Sequence, residues 1–317
     1  MQILFSADWH IKLGSKNVPI EWAINRYKLL FISIHALEAR ADLQIISGDI
    51  FDKLPNMEEL SLYFEFIREC SIETLILPGN HESVKKDTTF LTYLKSVTTS
   101  INPLVRIIDE FETYKDIDFV PYNRLKQFEK TNPFSKPNSI LVSHCRAEIP
   151  PHVKAEVDLD IFNPWRTVLL GDLHSYENSQ RNILYPGSPV TTSFHRNVVD
   201  TGVIIFDTDT HEHEWQKLEL PQLIRKTIKA GEPMEATTYH HTIYEIEGDM
   251  AELGAMEDSD LIDKKVMKRD SDTALMLDPK MSLPEELKEY LLYILQLGED
   301  KANKLVHILN NNIHKLE

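Results

Sequence analysis

The chain has 317 residues, 42% of them hydrophobic and 26% charged, which fits an ordinary soluble globular protein of about two domains. No apolar run approaches the ~20 residues of a membrane span, no basic-then-apolar signal opens the chain, and Cys70 and Cys145 lie too far apart to suggest a disulfide framework or a zinc knuckle; a cytoplasmic protein with reduced thiols is expected. With 50 acidic against 34 basic residues the net charge is −16, so a nucleic-acid substrate would require a local basic patch, bound metal ions or a partner to supply the grip.

In chain order, the sequence predicts a strand over Gln2–Asp8, a helix over Ile20–Arg40, a strand over Leu43–Asp49, a helix over Met57–Cys70 and a strand over Thr74–Asn80. A helix from about Thr88 to Ser100 follows, then strands at Val105–Glu110, Ile117–Pro121, Ile140–His144, Val168–Asp172 and Gly202–Asp207. Short apolar runs bounded by turn residues and separated by helices predict a layered α/β fold around a buried sheet. Composition shifts after about Leu220, and a linker is expected near 215–225. Residues 221–275 mix strand-like Thr242–Glu247 with acidic, turn-rich Met256–Leu261, which predicts a small second α/β module. From Leu283 onward, Leu287, Leu291 and Ile294 share a helical face that Leu305, Ile308 and Ile313 continue past Gly298. These short amphipathic helices either pack on the second module or offer an apolar face to a partner helix. The expected division is 1–215, 216–278 and 279–317.

The chemistry gathers where strands run out. Five strand ends read Asp8-Trp-His10, Gly48-Asp49, Gly79-Asn-His-Glu82, Ser143-His144 and Gly171-Asp-Leu-His174. Any one has a bland reading, since an Asp after Gly is commonly a turn or a cap and a lone His is commonly a hydrogen-bonded core residue. All five together point instead to the crevice beyond the carboxyl ends of strands, where ligands of α/β sheets collect. Carboxylates, imidazoles and one amide oxygen, without thiolate, suit manganese, with magnesium, iron or zinc as alternatives. Seven candidate ligands, Asp8, His10, Asp49, Asn80, His144, Asp172 and His174, are too many for one ion and suit two, spaced about 3.5–4 Å apart.

In this order, Asp-x-His, Gly-Asp-Ile-Phe-Asp, Gly-Asn-His-Glu, a lone His and Gly-x-x-His resemble the calcineurin-like metallophosphoesterases over roughly residues 1–210. Ser6-Ala-Asp-Trp-His10, Gly48-Asp-Ile-Phe-Asp52 and Tyr185-Pro-Gly-Ser-Pro189 narrow the resemblance to the SbcD-type nucleases, bacterial and phage relatives of the DNA-end-processing nuclease of meiotic recombination. The short C-terminal part is most similar to compact subunits of tailed phages. The resemblance implies a layered β-sandwich flanked by helices, with a small α/β capping module that faces DNA, and C-terminal helices that dock a partner. It assigns one ion to Asp8, His10, Asp49 and His174, and a second to Asp49, Asn80, His144 and Asp172, with Asp49 bridging. In that scheme a metal-bound hydroxide attacks the phosphodiester, leaving a 5′-phosphate and a free 3′-hydroxyl, and His81 assists at the transition state without binding metal. The partners implied are DNA and an SbcC-type ABC ATPase with long coiled coils, in a heterotetramer containing a homodimer of this chain formed through its first helices. The sequence has no Walker A motif and no heptad array of its own. One position departs from the family: the last motif is normally Gly-His-x-His, and Asp172 stands where its first histidine would be. A harder, charged ligand there should hold the second ion and shift preference toward manganese or magnesium.

Other residues look chemical and have plainer readings. His211-Glu-His213 could chelate a metal from one strand face, but it follows Asp207-Thr-Asp-Thr210 in what reads as an exposed hairpin; His240-His241 is similar. Cys145 reads as a small buried neighbour of His144, and Trp9 as a core residue turned away from the ligands on either side of it. His195 and Arg196, just past the Tyr-Pro-Gly-Ser-Pro turn, are weak candidates for contact with DNA phosphate. The alternatives to a nuclease are a phosphatase or small-molecule phosphodiesterase on the same scaffold, and a DNA-binding scaffold subunit with an impaired site. Gly-Asp-Ile-Phe-Asp, rather than the Gly-Asp-x-x-Asp-Arg-Gly of protein phosphatases, weighs against the first; Asp172 alone supports the second.

Overall fold

The computed structural model describes residues 1–85, 87–229, 232–234, 239–248, 262–266, 281–295 and 297–312. They fall into two compact units, the first consisting mainly of Met1–Thr227. In chain order its elements are β1 (Gln2–Ser6), α1 (Ile20–Glu38), β2 (Leu43–Ser47), α2 (Met57–Glu69), β3 (Thr74–Leu77), the hairpin β4 (Ser83–Lys85) and β5 (Thr88–Thr89), and α3 (Phe90–Ile101). Then come β6 (Val105–Ile107), β7 (Glu112–Tyr114), β8 (Ile117–Val120), α4 (Leu125–Lys130), β9 (Ile140–His144), β10 (Thr167–Gly171), β11 (Ile183–Leu184), β12 (Gly202–Asp207) and β13 (His213–Lys217).

Two sheets carry the unit, in the orders β13-β12-β1-β2-β3-β6 and β11-β10-β9-β8-β7. The strands from β1 to β6 in the first sheet run parallel, in register Ile3↔Leu43 and Gln44↔Thr74, and β12 closes on β1 antiparallel. In the second sheet β8 to β11 run parallel and β7 is an antiparallel edge. Alternation decides which residues meet. Ile3, Phe5, Ile45, Leu75 and Phe206 of one sheet pack with Phe119, Ile140, Val142 and Leu169 of the other to form the centre of a sandwich. The intervening residues Leu4, Ile46, Ile76 and Val203 face the helices, meeting Tyr27, Leu30 and Ile34 of α1, Leu62 and Phe66 of α2, and Leu91 of α3. On the outer face of the second sheet, Leu141, Val168 and Leu170 pack with Phe128, Phe162 and Trp165.

Because the parallel strands of both sheets bury both faces, they read as continuous apolar runs, and those runs were legible in the sequence. Their ends were not. β1, β2 and β10 stop before the Asp that ends each motif, because Asp8, Asp49 and Asp172 adopt φ of 57°, 52° and 101°, outside the extended region. The helix expected from Thr88 begins at Phe90, with Thr89 as its cap and Thr88–Thr89 paired in the short hairpin. The hairpin expected after Asp207 is present: Asp207 Oδ1 accepts from the N–H of Asp209 and Thr210, and β13 pairs antiparallel with β12.

Where a linker was expected, near 215–225, Leu218 and Leu220 are buried between β13 and a further strand, β14 (Leu223–Lys229). With β15 (His241–Gly248) and β16 (Ile262–Val266), β14 makes a small third sheet; Met256–Leu261 lies outside the described residues. The second unit contains α5 (Leu283–Glu289), closed at its start by a reciprocal Ser282–Glu285 capping box, a π turn at Tyr290–Ile294 and α6 (Glu299–Asn312). Along the expected apolar stripe, Leu291 is buried, whereas Leu305 and Ile308 are exposed. Ile313 and the side chain of Ile294 lie outside the described residues. Among the described residues no helix is long and apolar enough to cross a membrane.

Candidate metal centre

The carboxyl ends of β1, β2, β3, β9 and β10 deliver Asp8, Asp49, Asn80, His144 and Asp172 to one place, because both sheets point their parallel strands the same way there. The turns that present these residues are tied to one another by main-chain bonds. Asp8 N–H donates to Gly48 O (3.1 Å), His10 N–H to Asp49 O (2.8 Å) and Ile11 N–H to Ile50 O (2.7 Å). Such close approach needs glycine. A Cβ on Gly48, whose φ is +85°, would stand 2.2 Å from His144 Nδ1, and one on Gly79 would stand 2.1 Å from Asp49 Oδ1. Positive φ at Asp8, His10, Asp49 and Asp172, all non-glycine, concentrates backbone strain at the site, as functional centres commonly do.

The side chains fall into overlapping groups. Asp8, His10 and His174 offer ligand atoms to one point, and Asp8, Asp49 and His144 to another; His10, Asp49 and His81 form a third set. His10 Nε2 and His174 Nε2 are 3.1 Å apart, and His10 Nε2 is 3.7 Å from Asp49 Oδ2. On the other side His144 Nε2 stands 3.5 Å from Asp49 Oδ2 and 3.6 Å from Asp172 Oδ1. His144 Nδ1–H donates to Ser47 O (2.7 Å), which leaves the Nε2 lone pair aimed inward. Asn80 supplies the test of fit. One end of its carboxamide is 2.8 Å from His144 Nε2 and 3.1 Å from both Asp49 Oδ2 and Asp172 Oδ1. With the amide oxygen turned inward and His144 Nε2 unprotonated, four acceptors converge, an arrangement that a divalent cation would complete. Carboxylate, imidazole and amide donors are the set such an ion takes.

Charge points the same way. Burial pushes the Asp8 carboxyl well above its usual range; His144 opposes this, while Asp49 and Asp172 add to it. Burial would also raise Asp49, but His144, His10 and His81 outweigh it and hold that carboxyl below the usual range. Burial disfavours charge on His144, yet Asp49, Asp172 and Asp8 prevail and raise it well above an ordinary imidazole. A proton there lies among the carboxylates much as a bound cation would. Burial lowers His10 to about 4 and lowers His174, so both are neutral imidazoles at pH 7 with lone pairs to offer.

His81, more than a third exposed, stands beside His10 and Asp49. Its Nδ1–H donates to Asp52 O (2.5 Å), and its Nε2 lies 3.8 Å from Asp49 Oδ2, facing the site. A cavity of about 810 Å³ opens beside Asp172 and His174, walled by Tyr176, Ser188, Thr192, His195 and Trp215. His195 therefore borders the site, whereas the Arg196 guanidinium is engaged by Thr227 Oγ1 (2.7 Å) and Glu245 (3.6 Å).

Sequence reasoning passed over Glu82. It is buried and accepts the N–H groups of Gly79 (2.8 Å), Phe51 (2.9 Å) and Asp49 (3.1 Å), pinning the loops after β2 and β3 together. Its place beside Asn80 and His81 was the available signal. Ser188, in the Tyr-Pro-Gly-Ser-Pro turn, donates to Asp8 O (2.6 Å), and the Asp172 N–H lies 3.0 Å and 3.1 Å from the two Asp8 carboxylate oxygens. Trp9 packs edge-on to Phe66 (4.6 Å between ring centroids), and Cys145 is a buried free thiol. His211 Nδ1 pairs with Thr167 Oγ1, His213 Nε2 with Tyr176 OH, and His240 Nδ1 accepts from Gln222 N.

Residues 1–213 match the family described as Calcineurin-like phosphoesterase. Over 317 residues the chain is 39% identical to the "Probable exonuclease subunit 1" of Escherichia phage T5, covering 96% of this chain and 97% of the relative. Among solved structures, one protein of Thermus thermophilus aligns with a TM-score of 0.43 and 12% identity, over 67% of this chain and 96% of its own. The family match runs through both sheets as far as the start of β13 and takes in every clustered residue from Asp8 to His174, and the chain belongs to the calcineurin-like phosphoesterases as a metal-dependent phosphodiesterase.

Proposed function

We propose that the chain is the two-metal nuclease subunit of an assembly that processes DNA ends or DNA structures in recombination or replication. The observation that carries this is Asp49 Oδ2 standing between two imidazoles, 3.7 Å from His10 Nε2 and 3.5 Å from His144 Nε2, in a chain whose phage relative is named as an exonuclease subunit. Asp8, His10, Asp49 and His174 hold one divalent ion, and Asp49, Asn80, His144 and Asp172 the second, manganese in preference to magnesium. When bound, two such ions supply Lewis-acid charge at the phosphoryl oxygens and make water a strong nucleophile at neutral pH.

The protein contributes position and protons. The hydrogen bond from His81 Nδ1–H to Asp52 O fixes that ring so that, in its imidazolium form, Nε2–H can donate to the scissile phosphate or the leaving oxygen. His144 is held by Ser47, and His174 Nδ1 by Thr192 Oγ1 at 3.1 Å, so neither imidazole is free to turn. Asp172, in place of the family's histidine, serves as a working ligand; its approach to His144 and Asn80 supports that reading over an impaired site.

The word "subunit" in the relative's name supports a partner. An SbcC-type ABC ATPase with coiled coils fits, docked on the C-terminal helices of residues 279–317, with a homodimer of this chain inside a heterotetramer and residues 216–278 facing DNA. Such a partner reconciles the net charge of −16 with a DNA substrate, and the assembly would act in the cytoplasm of a bacterial host. The test is cleavage of linear duplex, single-stranded and hairpin DNA by the purified chain with manganese or magnesium, alongside bis-para-nitrophenyl phosphate. Metal-dependent DNA cleavage is expected. Turnover of the small diester alone, with the ATPase partner present, would move the assignment to a small-molecule phosphodiesterase.

A further inference from the structure

Three lysines line a second cavity, of about 600 Å³, that the chemistry described above does not use: Lys85 from the β4–β5 hairpin, and Lys126 and Lys130 from α4. Lys126 and Lys130 are four residues apart and so project from one face of α4. Among the described residues none of the three has an ion-pair partner, unlike Lys12, Lys95 or Lys115. Two acids share the cavity wall: Asp87 lies 3.8 Å from an Arg124 guanidinium that Glu110 already holds through two hydrogen bonds, and Glu156 accepts from Tyr122 OH at 2.8 Å. In a chain with a charge of −16, a lining with three lysines against two acids is a local excess of positive charge.

Its position ties it to the metal centre. Tyr122, on the cavity wall, sets its ring edge-on to His144 with 6.0 Å between centroids. The hairpin that carries Lys85 begins at Ser83, two residues after His81, and Ser83 itself lines the cavity. A cavity that carries three lysines and whose wall residue Tyr122 packs on His144 suits a polyanion whose reacting phosphate sits at the metals. The exposed part of the Tyr122 ring offers a base a surface to stack on.

We infer that the cleft between the β4–β5 hairpin and α4 is the track for the phosphate backbone of one DNA strand, gripped by Lys85, Lys126 and Lys130 next to the cleavage site. This rests on the nuclease reading and adds to it the side of the centre from which the strand is held. It also places three lysines beside the centre, one of the ways in which an acidic chain can grip a polyanion.

The test combines Lys85→Ala, Lys126→Ala and Lys130→Ala in the full chain. Binding of a labelled single-stranded oligonucleotide is followed by fluorescence anisotropy in a His81→Ala background with manganese, across a salt series. Cleavage of the same strand and of bis-para-nitrophenyl phosphate is followed with His81 intact. Each lost phosphate contact should remove about 0.7 from the slope of log affinity against log salt, so the slope should shallow by about 2. Affinity should fall at least tenfold, and kcat/KM for the oligonucleotide should fall relative to that for the small diester. An unchanged slope and affinity, while the unsubstituted chain cleaves DNA, would overturn the track and leave the nuclease standing. Lysine-dependent binding without DNA cleavage, even with the ATPase partner, would keep the track and overturn the nuclease. Neither binding nor cleavage of DNA would overturn both.

Discussion

Glu82→Ala removes a buried carboxylate that accepts three main-chain N–H groups, from Gly79, Phe51 and Asp49. A buried donor left without an acceptor costs about 1–3 kcal/mol, so three of them cost about 3–9 kcal/mol. Burial and the charge of Asp49 push the Glu82 carboxyl up to about 7, so deleting it recovers part of that loss. The expected net is therefore in the lower half, about 3–6 kcal/mol. For a chain of this size, at ~2 °C per kcal/mol, Tm should fall by about 6–12 °C. Glu82→Gln keeps one oxygen for the N–H groups of Asp49 and Gly79 but sets an NH₂ against that of Phe51, and should cost about 1–3 kcal/mol. Calorimetry of chelator-treated protein reads both. Manganese titration should show affinity about 10–100-fold weaker in Glu82→Ala, since the residue braces the turns presenting Asp49 and Asn80. A melt within about 2 °C of the unsubstituted protein, with unchanged manganese affinity, would refute this reasoning.

Gly79→Ala would place a methyl 2.1 Å from Asp49 Oδ1 and 2.5 Å from Asp49 N, so it should disturb both ion positions together; normal manganese stoichiometry by titration would contradict the bridging role of Asp49. Tyr185→Phe deletes a buried hydroxyl that donates to Cys145 O (2.7 Å) and accepts from Ala147 N (3.0 Å), which should cost about 1–3 kcal/mol in urea unfolding while manganese affinity holds. A urea midpoint that does not move would count against it. Asp172→His exchanges a hard carboxylate for an imidazole and should weaken magnesium binding relative to manganese. An unchanged ratio of the two affinities would mean that Asp172 does not ligate.

Much of the centre was legible because its residues sit at the ends of apolar runs, where polar groups stand out. Asp8, His10, Asp49, Asn80, His144, Asp172 and His174 do converge, as their order along the chain implied. What single motifs could not convey is which turns touch. Glu82 looks like one more acid in sequence, and its function lies in N–H groups supplied from two separate loops. The division into two facing sheets was likewise invisible to periodicity, since strands buried on both faces read alike whichever sheet they join. Strand ends were read as too long because the left-handed turns at Asp8, Asp49 and Asp172 depend on contacts with neighbouring loops rather than on local propensity. Lys85, Lys126 and Lys130 come from two distant segments and carry no shared pattern until the hairpin and α4 bring them onto one cavity.

The most direct test of the account is the number of manganese ions bound per chain, measured by elemental analysis after equilibrium dialysis, for the unsubstituted protein and for Asp49→Asn, Asn80→Ala and His174→Ala. Two ions are predicted for the unsubstituted chain. One is predicted for Asn80→Ala and for His174→Ala, which take part in one set each, and fewer than one for Asp49→Asn, which serves both. A single ion in the unsubstituted chain, or two retained in Asp49→Asn, would contradict a two-metal centre built around Asp49.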